Sequence, residues 1–157
     1  MQYQIEPVGY VQAARDVPED DFWGNTRSSI QLVDSIEPEA LDGLQDFSHV
    51  EVIFVFDRVE TSKIVTGARH PRNNQSWPKI GIFAQRGKNR PNRLGSTICR
   101  VVSIKDRTLV VEELDAIDGT PVIDLKPVMT EFLPRTRVIQ PVWSSELMAD
   151  YWVEEDA

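Results

Sequence analysis

Residues 80–127 read IGIFAQRGKNRPNRLGSTICRVVSIKDRTLVVEELDAIDGTPVIDLKP and carry the strongest fold and site signals in the chain. Their apolar runs are separated by an Arg-Pro-Asn turn at 90–92 and an Asp-Gly-Thr-Pro turn at 118–121. An ordinary hairpin turn requires only Gly with Asn or Asp. Here the first connection also holds basic residues, and acidic residues surround the second: Arg86, Lys88, Arg90 and Arg93, then Asp115, Asp118 and Asp124. Charged residues at this density between strands indicate a binding site.

The rest of the chain predicts many short strands joined by turns rich in Gly, Pro, Asn and Asp. The run VEVIFVF at 50–56 is rich in β-branched and aromatic residues, which is typical of a central strand. We predict strands at 5–13, 30–33, 50–56, 80–84, 97–104, 109–113 and 121–125, with 136–142 closing the sheet. Helices are predicted at 38–44 and 144–151, the second capped by Ser144 or Ser145. The pattern is that of a mainly β fold, either a barrel or a strongly curved sheet.

Length and composition limit the protein class. A chain of 157 residues with 41% hydrophobic and 27% charged residues predicts one globular domain rather than a disordered chain. Its apolar runs are too short to span a bilayer, and the opening MQYQIEPVGY lacks the pattern of a signal peptide. The single cysteine, Cys99, cannot form an internal disulfide, and no Cys/His cluster has metal-ligand spacing. We therefore expect a cytoplasmic protein without a metal site.

The net charge of −8 is unevenly distributed along the chain. Residues 67–107 hold ten basic residues and one acid, whereas acids dominate on both sides of this segment. Two interpretations are open: the basic residues balance nearby carboxylates on a solvated face, or they form a local anion-binding surface. Interleaved amides and an aromatic ring favour a polyanion that carries nucleobases: Asn73, Asn74, Gln75, Trp77, Asn89 and Asn92.

Several familiar catalytic patterns are absent from the sequence. It contains no P-loop, no Gly-rich dinucleotide turn and no G-x-S-x-G elbow. His49, just before the central strand, is more typical of a structural histidine than of a base. His70 lies in the basic connection, where we expect it to be exposed. Cys99, in an apolar strand, is expected to be a buried small hydrophobic residue rather than a nucleophile.

The motifs of the quoted stretch resemble those of one enzyme family. They are GIFAQR at 81–86, RPN at 90–92, Gly95, LD at 114–115, DGTPV at 118–122, Asp124 and KP at 126–127, with IEPVG at 5–9 and LQDFSH at 44–49 upstream. The chain thereby resembles the TsaA-like, TrmO-like family of S-adenosylmethionine-dependent enzymes, which methylate N6 of threonylcarbamoyladenosine at position 37 of tRNA. The resemblance implies a small β-barrel with short peripheral helices, not a Rossmann-type methyltransferase, and a homodimer. We expect the barrel domain at 1–143 and a C-terminal helical tail at 144–157.

The resemblance also implies where the cofactor, S-adenosyl-L-methionine, binds. Three regions are expected to contact it: the loop after the first strand, the end of the central strand, and the two motifs. The predicted cofactor-binding residues are Phe22, Trp23, Asp57, Arg58, Arg86, Ser96, Asp115, Ala116, Ile117, Asp118, Gly119 and Thr120. The sequence departs from the family pattern in the loop near Trp23 and at Asp57, where a histidine is common.

These residues suit the chemistry of the cofactor. The carboxylate of Asp115 or Asp118 can offset the positive charge of the sulfonium or amino group. The Arg86 guanidinium can bind the cofactor's carboxylate through two hydrogen bonds, and Gly119 allows close approach of the backbone. If the acceptor nitrogen must lose a proton before attack, a general base is needed; no residue stands out for that role, so the catalytic residues are left unassigned. The alternative for the second motif is a structural hairpin with an Asp–Lys pair.

Two functions remain open for the sequence. The first is methylation of a modified adenosine in tRNA, with predicted substrate contacts from Lys88, Arg90, Asn92 and Arg93. For Arg90 a structural alternative exists, in which its guanidinium ties neighbouring carbonyls of the Arg-Pro-Asn turn. The second function is that of an S-adenosylmethionine-binding protein that methylates a small molecule or senses the cofactor. The basic segment favours the first, and the acidic remainder favours the second.

Overall fold

The computed structural model describes residues 1–155 and confirms the mainly β fold. Asp156 and Ala157, the last residues of the predicted helical tail, lie outside the described residues. The strands are β1 (Gly9–Gln12), β2 (Arg27–Leu32), β3 (His49–Val55), β4 (Ala68–Arg69), β5 (Ile80–Gly81), β6 (Leu94–Lys105), β7 (Thr108–Glu112) and β8 (Pro121–Pro127). One α-helix, α1 (Val142–Leu147), and several short 3₁₀ turns complete the described part of the chain.

Six strands form a closed antiparallel barrel in the order β1-β2-β7-β6-β3-β8. Pairing of Gly9 in β1 with Val122 in β8 closes it. The central strand β3 alternates buried and half-buried residues, so that Val50, Val52 and Phe54 point into the barrel. This alternation follows from the two-residue period of a strand, which places every second side chain on the same face. β4 and β5 pair separately as a small two-stranded sheet.

A largely apolar core fills the barrel, and one glycine of the family motif makes room for it. Phe54 is 1% exposed and meets Phe56 edge-to-face, with ring centroids 5.3 Å apart. Gly95 of β6 is paired with Phe54 of β3. A Cβ at Gly95 would lie 2.5 Å from the Phe54 ring, so no side chain fits there. Gly95 therefore has a packing role beneath the two aromatic rings.

Three predicted strands differ most from the structure. The first, predicted at 5–13, is a strand only at Gly9–Gln12. At 80–84 only Ile80–Gly81 is a strand, and Ile82–Ala84 forms a 3₁₀ turn that buries Ile82. The Gln85 amide stabilises this turn by donating to the carbonyls of Arg69 and Ile80. The strand predicted at 136–142 is wrong. β1 pairs with β8, so the barrel presents no free edge to which a further strand could add.

Both predicted helices also differ from the structure: the first is divided into two turns, and the second ends earlier than predicted. The segment 38–44 contains a 3₁₀ turn at Pro38–Leu41 that ends because Asp42 is extended. Gly43 then adopts a left-handed φ of 88° before a second turn begins. The C-terminal helix starts at Val142, after Pro141, and ends at Leu147 rather than at Tyr151. Ser144 is inside this helix, where its hydroxyl and its N–H donate to the Pro141 carbonyl.

Candidate functional site

The Asp-Gly-Thr-Pro turn is fastened to the end of β1. Gly119 N–H donates to the Val11 carbonyl at 2.8 Å, and Asp118 N–H donates to the Arg15 carbonyl at 2.8 Å. The Asp118 carboxylate accepts a hydrogen bond from Ala13 N–H at 3.0 Å. Gly119 has a φ of 82°, a left-handed conformation that favours glycine. The turn thus has one defined conformation, and the Asp118 carboxylate contributes to it.

Arg15 organises the loop that follows β1. Its guanidinium lies 3.9 Å from the centroid of the Trp23 ring and donates to the carbonyls of Asp21 and Phe22 at 3.0 and 2.7 Å. Trp23 is 3% exposed, whereas Phe22 keeps 40% of its surface exposed and has a φ of 67°. A second guanidinium, that of Arg72, binds both carboxylate oxygens of Asp21 at 3.0 and 3.2 Å. The loop therefore presents Phe22 to solvent from a fixed backbone.

Asp115 is the centre of a cluster of hydroxyl groups. Thr97 Oγ1 donates to one of its carboxylate oxygens, and the hydroxyl of Tyr151 donates to the other. All three side chains are half-buried. Burial, followed by the neighbouring Asp115 carboxylate, raises the pKa of Tyr151 well above its usual range. The phenol therefore stays protonated and remains a hydrogen-bond donor at neutral pH.

Positive charge lies next to this cluster. Arg86 donates to the carbonyl of Ser96, whose own hydroxyl donates to Glu51 at 2.8 Å. Arg86 and Arg72 both act to lower the pKa of Tyr151 through their charges, although burial and Asp115 outweigh them. The site thus places a carboxylate and guanidinium groups in the same neighbourhood, which suits a ligand with groups of both signs.

The segment 150–155, which we call the C-terminal strap, lies across the loop after β1. Phe22 N–H donates to the Asp150 carbonyl at 3.1 Å, and Trp23 N–H donates to the Tyr151 carbonyl at 2.8 Å. Gly24 forms a parallel bridge with Glu154. A Cβ at Gly24 would lie 2.2 Å from the Trp152 carbonyl oxygen, so close contact requires glycine. These contacts bring Tyr151 to Asp115.

The structure places the predicted cofactor residues in two neighbouring groups. The first contains the Asp118–Thr120 turn with Arg58, which donates to the carbonyls of Asp16 and Asp118 at 2.6 and 3.3 Å. The second contains Asp115, Arg86 and Ser96. Ala116 is buried and Ile117 half-buried between the groups, while Asp57 is exposed beside Arg58. The loop that carries Phe22 and Trp23 contacts both groups. Arg15 joins it to the Asp118 turn, and the strap that it holds brings Tyr151 to Asp115. Their roles toward a cofactor stay predictions.

The predicted substrate residues differ in how freely they can reach a ligand. Arg90 donates to the carbonyls of Gln85 and Gly87 at 2.7 and 3.4 Å. These are the contacts expected if its guanidinium has a structural role in the turn. Arg93 donates to the Val59 carbonyl at 2.8 Å. Asn92 is exposed and has a φ of 61° in the turn. Lys88 is exposed, and no hydrogen bond engages its ammonium among the described residues.

The two histidines and the cysteine have structural surroundings. His49 Nδ1 lies 2.6 Å from the hydroxyl of Ser48, and the residue is half-buried at the start of the central strand. His70, which we expected to be exposed, is half-buried, with Nδ1 2.8 Å from the Trp77 carbonyl. The buried position predicted for Cys99 is confirmed at 0% exposure. Burial and then the charge of Asp115 raise the pKa of its thiol, which makes it a poor nucleophile.

Neither of two surface cavities elsewhere includes a predicted cofactor residue. One, of about 410 Å³, is lined by residues 131–135, and the other, of about 510 Å³, lies between Leu41 and Ile104. Within residues 1–155, no group of three or more His, Cys, Asp or Glu side chains is placed to hold a metal ion. The described part of the chain also has no helix long and apolar enough to cross a membrane.

Sequence reasoning missed Tyr151, Thr97 and Arg15 as members of the site. The helix predicted at 144–151 includes Tyr151, and nothing in the letters ADYW at 149–152 indicates a partner 36 residues earlier. Thr97 faces the barrel interior opposite Val52, a position that the alternation of β6 could have shown. Arg15 gives no local signal, because its role depends on the fold of the loop around Trp23.

The observations define a class of protein: a small closed β-barrel whose polar site is built from loops at its rim rather than from a doubly wound sheet. The family model described as the tRNA-methyltransferase O N-terminal domain matches residues 10–132. The chain belongs to this family, which confirms the resemblance drawn from its motifs.

Known proteins support the same assignment. The chain is 31% identical over 145 residues to the human tRNA (adenine(37)-N6)-methyltransferase, covering 87% of this chain and 32% of that protein. It is 31% identical over 136 residues to a Pyrococcus abyssi protein named "Probable S-adenosyl-L-methionine-binding protein", covering 84% and 71%. The crystal structure of TrmO from Pseudomonas aeruginosa superposes with a TM-score of 0.71 at 24% identity, covering 91% and 62%. This likeness shows the shared fold, and the chain spans about a third of the human relative's length.

Proposed function

We propose that the protein is an S-adenosylmethionine-dependent methyltransferase that acts on N6 of threonylcarbamoyladenosine at position 37 of tRNA. The observation that carries the proposal is the meeting of Asp115, Arg86 and the Phe22–Trp23 loop at the barrel rim, in a family whose human member is named a tRNA (adenine(37)-N6)-methyltransferase. The Pyrococcus abyssi relative is named for binding the cofactor itself.

The donor set of the site fits this cofactor. S-adenosylmethionine supplies an electrophilic methyl group on a positively charged sulfur. The half-buried Asp115 carboxylate offers negative charge for a cationic group, and Arg86 offers a guanidinium for the cofactor's own carboxylate. Phe22 presents 40% of its surface to solvent for contact with an aromatic base. This chain's residues would bind and orient the reactants, and we assign no general base.

The surroundings of Arg86 suit RNA as well. Phe83 is 80% exposed in the 3₁₀ turn just before Gln85, and an exposed aromatic ring beside basic residues can stack on an unpaired nucleobase. Lys88 and Asn92 are exposed within the same basic segment. An exposed aromatic ring with adjacent cations favours a single-stranded loop of RNA over a small-molecule acceptor. We place the protein in the cytoplasm with this substrate.

A homodimer is part of the proposal. Residues 129–142, which we call the linker arm, run from just after β8 to the first residue of α1. Exposed apolar side chains occur throughout it: Met129, Phe132, Leu133, Val138, Ile139 and Val142. Exposed apolar surface of this kind is typical of a protein–protein contact. The predicted cofactor residues lie outside the two cavities described above. A second copy that covers the arm and encloses the site would account for both features.

The second candidate is an S-adenosylmethionine-binding protein that modifies a small molecule or senses the cofactor. The observation in its favour is a relative: the chain is 31% identical to the Pyrococcus abyssi protein, which is named for binding the cofactor and not for acting on tRNA.

One experiment separates the two candidates. The purified chain is incubated with methyl-labelled S-adenosylmethionine and total tRNA from a strain whose own gene for this family is deleted. Nucleoside mass spectrometry should show label on N6 of threonylcarbamoyladenosine, and an Asp115→Asn variant should lose it while Lys105→Ala, at the last residue of β6, keeps it. Cofactor binding without any label in tRNA would move the assignment to the second candidate. Absence of cofactor binding would contradict both.

A further inference from the structure

We propose that Tyr151 is a positioning residue of the cofactor site, which together with Thr97 holds the Asp115 carboxylate in one orientation toward a cationic group of the cofactor. The inference rests on the proposed function, because it assumes that S-adenosylmethionine binds beside Asp115. It adds a residue that lies outside every motif shared with the family, and outside the 10–132 segment that the family model matches.

The geometry is that of a carboxylate held from two sides. Thr97 Oγ1 donates to Oδ1 of Asp115, and the Tyr151 hydroxyl donates to Oδ2. A carboxylate has about four lone-pair positions, so each oxygen keeps one for a further donor or cation. Rotation of the carboxylate would break both hydrogen bonds at once. The two hydroxyls are neutral, so they orient the carboxylate without cancelling its charge.

The strap fixes Tyr151 independently of Asp115. Two backbone hydrogen bonds, from Phe22 N–H and Trp23 N–H to the carbonyls of Asp150 and Tyr151, set its register. The Gly24–Glu154 bridge continues the same contact. The Tyr151 hydroxyl therefore reaches Asp115 from a backbone anchored to the predicted cofactor loop. This arrangement links two predicted parts of the cofactor site through one side chain.

The protonation of Tyr151 suits this role. Burial and the Asp115 carboxylate raise the pKa of the phenol, so it remains a donor throughout the neutral range. A donor that never ionises cannot repel the carboxylate that it holds. Thr97 has no ionisable group and contributes in the same way.

The test compares three ligands of decreasing positive charge by isothermal titration of the purified chain. S-adenosylmethionine carries a sulfonium and an ammonium, S-adenosylhomocysteine carries only the ammonium, and methylthioadenosine carries neither. Tyr151→Phe, which keeps the ring and removes the hydroxyl, should weaken S-adenosylmethionine about tenfold, equivalent to about 1.4 kcal/mol. Asp115→Asn should give the same pattern with a larger loss. Tyr10→Phe, at an exposed tyrosine of β1, is the matched control and should change nothing.

The pattern across ligands decides the inference. Loss confined to S-adenosylmethionine assigns the sulfonium to Asp115, whereas loss for both charged ligands but not for methylthioadenosine assigns the ammonium; either outcome supports the role. Equal weakening of all three ligands, or no change in any, overturns it, because a merely structural tyrosine does not distinguish charge. Melting temperatures of the variants verify folding, and the Tyr151→Phe comparison stands even if Asp115→Asn unfolds. A parent chain that binds none of the three contradicts the proposed function and this inference with it.

Discussion

The hydroxyl of Tyr151 donates a hydrogen bond to the carboxylate of Asp115, 36 positions earlier in the chain. Asp115 belongs to the connection between β7 and β8, whereas Tyr151 follows α1. The sequence predicts a boundary between a barrel domain and a helical tail at residues 143 and 144. The contact joins the barrel to the C-terminal segment across this boundary. It also means that a change in the strap can affect the site from outside the barrel.

The first prediction concerns how the strap is docked. Replacing Gly24 with Ala should release it, because the new Cβ would lie 2.2 Å from the Trp152 carbonyl oxygen. Hydrogen exchange of the Phe22 and Trp23 amides, which donate to the strap, should accelerate by about tenfold or more. Gly81→Ala is the matched control, since nothing lies within 4 Å of the Cβ at that position. Unchanged exchange in Gly24→Ala would show that the strap does not protect these amides.

The second prediction concerns packing at Gly95. An added methyl group would meet the Phe54 ring at 2.5 Å, so Gly95→Ala should destabilise the barrel by about 1–3 kcal/mol. Thermal unfolding should report this as a lower Tm, by about 2–4 °C per kcal/mol for a chain of this size. Gly67→Ala, with open space around its Cβ, should keep the parent Tm. A Gly95→Ala variant as stable as the parent would refute the packing role.

The sequence predicted most of the strands because they are specified locally, whereas the closed barrel was implied by the family resemblance. In β3 the alternation of Val50, Val52 and Phe54 with half-buried neighbours indicates both the strand and its buried face. The strand at 136–142 was wrong because closure of the barrel depends on β1 pairing with β8, a long-range contact with no local signal. The same limit applies to the site. Motifs identified Asp115 and Arg86, but Tyr151 reaches Asp115 only through the register of the strap, which no neighbouring residues encode.

The third prediction concerns acid stability and Glu112 on β7. Its carboxylate accepts hydrogen bonds from Arg27 at 2.6 Å and from Arg100 Nε at 3.0 Å, across both neighbouring strands. These hydrogen bonds, from Arg27 first and then Arg100, hold the pKa of Glu112 below its ordinary value of 4.5. A lowered pKa in the folded state means that the stabilisation is present above the ordinary value and is lost as pH falls through the lowered one.

Glu112→Gln should therefore be less stable than the parent at pH 7, and the difference should shrink as the pH falls below the ordinary value of 4.5. Urea unfolding at several pH values measures this directly. Glu60→Gln, at an exposed residue in the loop after β3, is the control and should follow the parent at every pH. A Glu112→Gln difference that stays constant with pH would exclude a contribution from ionisation.

The fourth prediction concerns assembly through the linker arm. Phe132 and Ile139 are each 86% exposed, so replacing both with Ser should cost the folded monomer little. If a second copy covers the arm, the double variant should shift light scattering from a dimer toward a monomer of about 18 kDa. Phe83→Ser, at another exposed aromatic residue outside the arm, is the control for general loss of apolar surface. A parent that is monomeric at micromolar concentration would contradict the proposed homodimer.

The last prediction separates tRNA contacts from structural arginines within the basic segment. Lys88 is exposed, whereas the Arg93 guanidinium donates to the Val59 carbonyl at 2.8 Å. Lys88→Ala should therefore weaken tRNA binding while Tm and cofactor affinity stay at the parent values. Arg93→Ala should lower Tm, because a charged hydrogen bond to a half-buried carbonyl is lost, at a cost of about 1.5–3 kcal/mol.

Salt dependence provides the sharper measurement. For single-stranded contacts the slope of log affinity against log salt is about −0.7 per phosphate neutralised, so Lys88→Ala should make the slope less steep by about 0.7. Lys105→Ala, at the last residue of β6, removes the same charge away from the site and should leave the slope unchanged. Because both variants have the same net charge, a difference between them reports a local contact rather than the overall field of the protein. Equal slopes in the parent and both variants would show that Lys88 does not contact RNA phosphates. Binding of tRNA without any salt dependence would refute the electrostatic contribution of the basic segment.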